Sequence, residues 1–238
     1  MSDLDSIEFA DNPDPRCPCV LLLDTSTSMQ GAPIAALNEG LKIFQNDINE
    51  DDLAQRRTEI AVITFGNGGV EFLNHANKQM QSVADADEHS RPFITADEFE
   101  PPTLVAGGLT PMGQAIDAGL DLLQERKRQY KENGIAYYRP WIFLVSDGEP
   151  NDAWDDAVER VHMEVQYGGL AFFVVGVEPR ANMEMLSVIA SPQQPPVKLT
   201  NLKFSEMFVW LSRSQQRVSR SKIGEQIPTL PVSGWELV

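Results

Sequence analysis

The sequence predicts an α/β fold: a doubly wound, mainly parallel sheet with one antiparallel edge strand and helices on both faces. Three observations predict it. Short unbroken apolar runs recur at 20–23, 141–145 and 170–175, with a further strand-like run at 60–65 interrupted only by Thr64; all are too short for helices and apolar on both faces, as strands inside a covered parallel sheet are. Amphipathic helical stretches separate most of them, which implies βαβ crossovers. Finally, Gly66-Asn67-Gly68-Gly69 joins two strand-like runs directly. A break that short can only fold the chain back, whereas a parallel connection needs a long crossover.

The elements follow in order. Residues 1–16 read as a polar leader, acidic at Asp3, Asp5, Glu8, Asp11 and Asp14 and without the basic start of a signal peptide. Val20-Leu21-Leu22-Leu23 is the first buried strand. After Gly31-Ala32-Pro33, the residues Ile34, Leu37, Leu41, Phe44 and Ile48 mark one face of a helix, with Pro33 suited to its first turn. The hairpin strands come next. Residues 75–106, with prolines at 92, 101 and 102, read as loop with a short strand around Phe93. Thr110-Pro111 opens a helix carrying Met112, Ile116, Leu120 and Leu123, ended by Gly134. Trp141 to Val145 is a strand. Trp154, Val158, Val161 and Val165 mark a helix stopped by Gly168-Gly169, and residues 170–175 form a further buried strand. A helix around Leu186 and Ile189, a short strand at 197–199 and a helix with Met207, Phe208 and Leu211 complete the domain, read as 17–217. Residues 218–238 read as a tail whose lone Trp235 is a candidate to dock on the domain.

Composition narrows the function. The 238 residues are 42% hydrophobic, enough for one sizeable core, and the net charge is −16. Such a surface repels phosphates and anionic lipid, which argues against nucleic acid and membrane as partners. From residue 201 onward the balance is +2, leaving −18 on the rest; the basic residues there read as a solvated helix face, with an acidic docking partner as the lesser reading. Cys17 and Cys19 are read as structural residues entering a strand, since zinc needs about four ligands and the three histidines show no paired spacing. No disulfide framework and no spanning apolar run point to a cytoplasmic protein.

In open α/β sheets ligands bind beyond the carboxyl ends of the strands. There the first strand runs into Asp24-Thr25-Ser26-Thr27-Ser28, and the 141–145 strand into Ser146-Asp147-Gly148-Glu149-Pro150. Alternate residues of extended chain share a side, so Asp24, Ser26 and Ser28 can converge. Each piece alone reads as something plainer: Asp and Ser as helix caps, Thr110 as an N-cap before Pro111, Asp147-Gly148 as a turn. Together they gather hard oxygen donors on one rim, which suit Mg²⁺, Mn²⁺ or Ca²⁺ rather than zinc or copper.

D-x-S-x-S, then a loop threonine, then an aspartate after an apolar strand resembles the metal-ion-dependent adhesion site of von Willebrand factor A (vWA) domains. The resemblance covers about residues 17–217, and the hairpin agrees with the family's sheet. Leu-Leu-Asp-Thr-Ser-Thr-Ser-Met, Gly-Gly-Leu-Thr-Pro-Met-Gly and Val-Ser-Asp-Gly-Glu-Pro are similar to the bacterial TerY-like branch associated with tellurium resistance. The resemblance implies Ser26 and Ser28 as direct hydroxyl ligands and Thr110 as a loop ligand, direct or through water. It implies Asp24 and Asp147 side by side, at least one acting through bound water, with Mg²⁺ as the expected ion. Thr27 replaces the usual glycine and is expected to narrow the approach. The implied function is a non-enzymatic, metal-dependent protein-binding module, a stress-response scaffold whose ion recognises a partner Asp or Glu. Protein kinase and PP2C-type phosphatase components are the implied partners.

Two rivals stand beside it. A Mg²⁺-dependent phosphohydrolase of the haloacid-dehalogenase type would use Asp24 as nucleophile. It needs an acid where Ser26 stands and a lysine after Thr110, where none occurs before Lys127. The other rival is a purely structural ion that clips the loops together. No G-x-S-x-G, dinucleotide-binding or P-loop pattern is present.

Overall fold

The computed structural model describes residues 9–225. The expectations for Asp3, Asp5 and Glu8 and for Trp235 and its neighbouring prolines fall outside the described residues.

Strand β1 (Cys17–Thr25) lies at the centre of the sheet. It pairs in parallel with β2 (Thr58–Gly66) on one side and with β6 (Trp141–Ser146) on the other. Beyond β6 come β7 (Ala171–Val177) and β8 (Val197–Leu199), also parallel. Beyond β2 comes β3 (Gly69–Asn74), antiparallel, with Gly66 opposite Gly69 across the two-residue turn Asn67-Gly68. The sheet is thus the mixed, mainly parallel one expected. Two short strands extend its antiparallel side. β4 (Gln79–Ser82) pairs with β3, and β5 (Ile94–Thr95) pairs with the start of β2. β4 carries no apolar run; it is a mainly polar, half-buried edge strand in which Met80 alone packs against the core.

Consecutive residues of β1 point to opposite faces, and both faces are covered. Leu21 and Leu23 join the core under α1 (Ala32–Asn49) and α6 (Phe204–Arg220). Val20 and Leu22 join the core under α3 (Met112–Glu132), α4 (Asp155–Gln166) and α5 (Met183–Ile189). A short helix, α2 (Ala54–Arg57), leads into β2. Helix α6 runs three residues past the expected end of the domain at 217. Among the described residues no helix is long and apolar enough to cross a membrane.

Strand order reverses at β1, so the loops after β1 and β6 diverge from adjacent strands at one rim. The opposite end is tied by charge. Glu59 is fully buried and accepts from Arg16 Nε at 2.8 Å, from Arg126 Nε at 2.8 Å and Nη2 at 2.9 Å, and from the Tyr130 hydroxyl. Burial alone would raise this carboxyl, but the two guanidiniums outweigh it and hold it below the ordinary range. The Arg126 guanidinium also sits 4.8 Å from the Phe9 ring centre. Phe9 and Arg16, within the segment read as a polar leader, are therefore buried parts of this end of the domain.

Replacing Glu59 by Gln leaves two buried guanidiniums short of one negative charge. The expected cost is about 3–5 kcal/mol in urea unfolding at neutral pH. Glu125→Gln, which breaks the exposed pair with Arg128, should cost less than about 1 kcal/mol. Equal costs would contradict this account.

Candidate functional site

At the carboxyl end of β1 the buried alternation continues, but with a carboxylate. Asp24 is fully buried, and both its oxygens are engaged: Oδ1 accepts the Ser26 amide at 2.8 Å and Oδ2 accepts the Ser146 hydroxyl at 2.5 Å. The chain then leaves the extended form. A 3-10 turn at Thr27–Met29 swings Ser28 back, so that Ser26 Oγ and Ser28 Oγ lie 2.8 Å apart. Their convergence comes from this turn as well as from the pleat. Ser28 Oγ donates to Asp147 Oδ1 at 2.5 Å, joining the loop after β1 to the loop after β6.

Thr110 reaches the same place from a third loop. A Cβ built on Gly148 would lie 3.6 Å from Ser28 Oγ, 3.6 Å from Thr110 Oγ1 and 3.9 Å from Asp24 Oδ2. Three side-chain oxygens from three segments thus face one small space that glycine leaves open. With Ser26 and Asp147 hydrogen-bonded to Ser28, all five expected residues come together.

The plainer reading holds for Asp24, whose Oδ1 caps the Ser26 amide, but not for the hydroxyls of Ser26 and Thr110. Ser26 stands at the N-cap position of the 3-10 turn, yet its side chain makes no capping bond. Thr110 is not the N-cap of α3: Pro111 occupies that position, and the first free amides are taken by Asp152, whose carboxylate accepts from Gly113 at 3.1 Å and Gln114 at 2.9 Å. The Thr110 hydroxyl is therefore not drawn into a cap.

Loop contacts hold the three segments in place. Asn151 Oδ1 accepts the Thr110 amide at 2.9 Å, and the Asn151 amide donates back to the Thr110 carbonyl at 3.1 Å. Thr27, whose branched side chain is expected to narrow the approach, is also a tie between loops. Its hydroxyl donates to the Gly108 carbonyl at 2.9 Å and its amide to the same oxygen at 3.1 Å, so it clips the Thr110 loop to β1. Gly108 has φ +74°, and a Cβ there would lie 2.5 Å from the Gly66 carbonyl oxygen; only glycine permits this approach. The sequence does not mark Ser146, Gly148, Asn151 and Asp152 individually: the first two lie in the Ser-Asp-Gly-Glu-Pro stretch after the strand, and nothing in periodicity marks Asn151 or Asp152.

The electrostatics are those of a site short of positive charge. Burial raises the Asp24 carboxyl above its ordinary range; donors from Ser146 and Ser26 oppose this, and the nearby Asp147 adds to it. Burial also raises Asp147, opposed by Ser28 and by the charge of Arg180. One carboxylate and two hydroxyls around the space beside Gly148, with Ser26 and Asp147 bonded to Ser28 next to it, are a fitting set for a hard divalent cation. Among the described residues no three His, Cys, Asp or Glu side chains converge, so hydroxyls would have to complete any ion's shell.

A groove of about 780 Å³ opens beside this rim, lined by Ser28, Asp147, Pro179, Arg180, Asn201 and Leu202 among others. Arg180 Nη1 donates to the Ser28 carbonyl at 2.7 Å.

The fold has solved counterparts. The human COPII-coat protein Sec24c superposes with a TM-score of 0.56 at 14% identity, over 91% of this chain and 34% of that one. Proximal thread matrix protein 1 from the mussel byssus gives 0.52 at 15% identity, over 85% of this chain and 48% of that one. The pilus adhesin SpaC from Lactobacillus rhamnosus GG gives 0.51 at 12% identity, over 86% and 30%. The chain thus spans about half the length of the mussel protein. At these identities the likeness is one of fold. No curated protein matches the chain by sequence. The family model of the von Willebrand factor type A domain matches residues 19–208, most of the sequence, and the chain belongs to that family.

Proposed function

We propose that the rim is a divalent-cation site, Mg²⁺ before Mn²⁺ or Ca²⁺, through which the protein binds a carboxylate of a protein partner without catalysing a reaction. The observation that carries this reading is the convergence of Asp24, Ser28 and Thr110 oxygens on the space beside Gly148. Ser26, Ser28 and Thr110 would hold the ion through neutral hydroxyls, with Asp24 and Asp147 behind them. When bound, the ion supplies a Lewis-acidic seat for a foreign anion, because neutral donors leave most of its charge uncancelled. Asp24, anchored by Ser26 and Ser146, would orient the serines and balance charge from beneath.

Ser28 is only half-buried and borders the groove, which favours recognition over an ion that merely clips loops. The loop that carries Thr110 also exposes Val105 and Leu109, at 65% and 69%. Apolar side chains beside a polar seat suit a protein partner. The phosphohydrolase alternative lacks support at this rim. Lys127 lies well along α3 and pairs with Glu164 at 3.1 Å, and His162 bonds the Ala190 carbonyl at 3.0 Å. In finer terms, the reading is a cytoplasmic scaffold of the TerY-like, tellurium-resistance type, serving kinase or PP2C-type phosphatase partners. That rests on the motif resemblance, and the net charge of −16 argues against nucleic acid and anionic membrane.

Three outcomes test it. Ser26→Ala with Ser28→Ala should weaken Mg²⁺ and Mn²⁺ binding by at least about a hundredfold in calorimetry while unfolding stability changes by only about 1–2 kcal/mol. The same variant, Asp24→Ala and the chelated wild type should each fail to retain partners that the Mg²⁺-loaded wild type captures; undiminished capture after chelation ends the reading. The pH dependence has a definite sign. A carboxyl whose folded pKa is raised binds its proton more tightly in the folded state, so in chelator Asp24 and Asp147 stabilise the fold below the ordinary aspartate pKa of about 3.9. That contribution is lost as the pH rises through the raised values. Metal-free Asp24→Asn should therefore melt higher than metal-free wild type at neutral pH, and saturating Mg²⁺ should reverse the order.

A further inference from the structure

We propose that Arg180 is a second anchor of this site, its guanidinium gripping the same Asp or Glu carboxylate that the rim cation engages, so that the partner's acidic side chain enters from the groove between the β7–α5 and β8–α6 loops. The proposal rests on the cation reading above.

Of the five rim residues, Ser28 and Asp147 line the groove and Asp24, Ser26 and Thr110 do not. The groove therefore borders the rim on its Ser28–Asp147 side. Arg180 stands on that side, exposed, with Nη1 held by the Ser28 carbonyl at 2.7 Å. This bond fixes the guanidinium next to a proposed ligand. Among the described residues, Nε and Nη2 make no further hydrogen bond that would compete for an incoming group. The planar fork of arginine matches a carboxylate with parallel donors.

The charges point the same way. A guanidinium beside a cation seat is unfavourable on its own, because the two repel, and a shared anion removes that cost. The chain as a whole, at −16, repels an acidic partner. Of the acidic residues that line the groove, Glu178 pairs with Lys198 at 3.6 Å, and Asp147, which feels the Arg180 charge, accepts from Ser28 at 2.5 Å. The far wall carries Asn201 and Leu202, both at φ +53°. Two consecutive non-glycine residues in the left-handed region are strained, and such strain gathers at ligand sites.

The test uses Mn²⁺ and a minimal probe, N-acetyl-glutamate amide, with N-acetyl-glutamine amide as its uncharged control. Mn²⁺ affinity is read by electron paramagnetic resonance, and probe binding by Mn²⁺-induced broadening of the probe's NMR lines. In Arg180→Ala, probe affinity should fall about tenfold while Mn²⁺ affinity stays level or rises. Arg180→Lys, which keeps the charge and loses the fork, should fall between. The glutamine probe should bind neither protein. Unchanged probe affinity in Arg180→Ala overturns the role of Arg180 and leaves the cation site standing. So does a Mn²⁺ affinity that falls together with probe affinity, since Arg180 would then be shaping the rim rather than gripping the probe. Wild type that takes Mn²⁺ but not the probe overturns the proposal in the same way. Wild type that takes no Mn²⁺ overturns the cation reading and this proposal with it.

Discussion

The structure turns on a buried carboxylate to which, among the described residues, no cationic side chain is bonded. Asp24 ends the central strand fully out of water, and its oxygens are met by one amide and one hydroxyl. Hydrogen bonds from neutral groups offset part of the cost of burying a carboxylate, and the charge remains. At the other end of the same sheet the fold solves a like problem differently, placing two arginines and a tyrosine around Glu59. The two ends show what the side chains of this chain do when a buried acid is to be neutralised internally and what they do when it is not.

That contrast gives the loops their roles. Three segments meet near Asp24, and hydrogen bonds from side chain to backbone tie them together beyond the packing of Met29, Leu104 and Met112 in the core. Thr27 bonds Gly108, Asn151 exchanges hydrogen bonds with Thr110, and Asp152 fastens the start of α3. Glycine at 108 allows two backbones to touch, and glycine at 148 keeps the space between the oxygens clear. The rim is built from loops, but its geometry is over-determined by contacts between them, which is what a site needs to present oxygens at fixed spacing.

Much of this was legible in the sequence, and for a physical reason. Strands covered on both faces are mostly apolar, so β1, β6 and β7 show as unbroken runs and β2 as one interrupted by Thr64, and the polar residues that follow β1 and β6 stand out. Asp24 and Asp147 are found that way. Other features leave no such trace. β4 is mainly polar with Met80 as its one apolar residue, and its pairing with β3 makes it a strand. Phe9 sits alone in an acidic segment and has no periodicity to mark it as core. Arg180 reaches Ser28 across 152 positions of chain, and Thr27 reaches Gly108 across 81. Contacts between loops of distant strands depend on the assembled topology, which local patterning does not encode. The position of Thr27 was legible, but the direction of its side chain was not.

The two cysteines carry a practical consequence. Both thiols are free and buried in β1, and burial pushes Cys19 up to about 12 and Cys17 higher still. Thiolate is the reactive form, so at neutral pH neither is available to an alkylating reagent while the fold is intact. The sequence contains no other cysteine. A single cysteine introduced at exposed Leu109 would therefore take a maleimide dye or spin label selectively with the native pair left in place, and slow labelling of the unaltered protein would serve as a clock for its global opening.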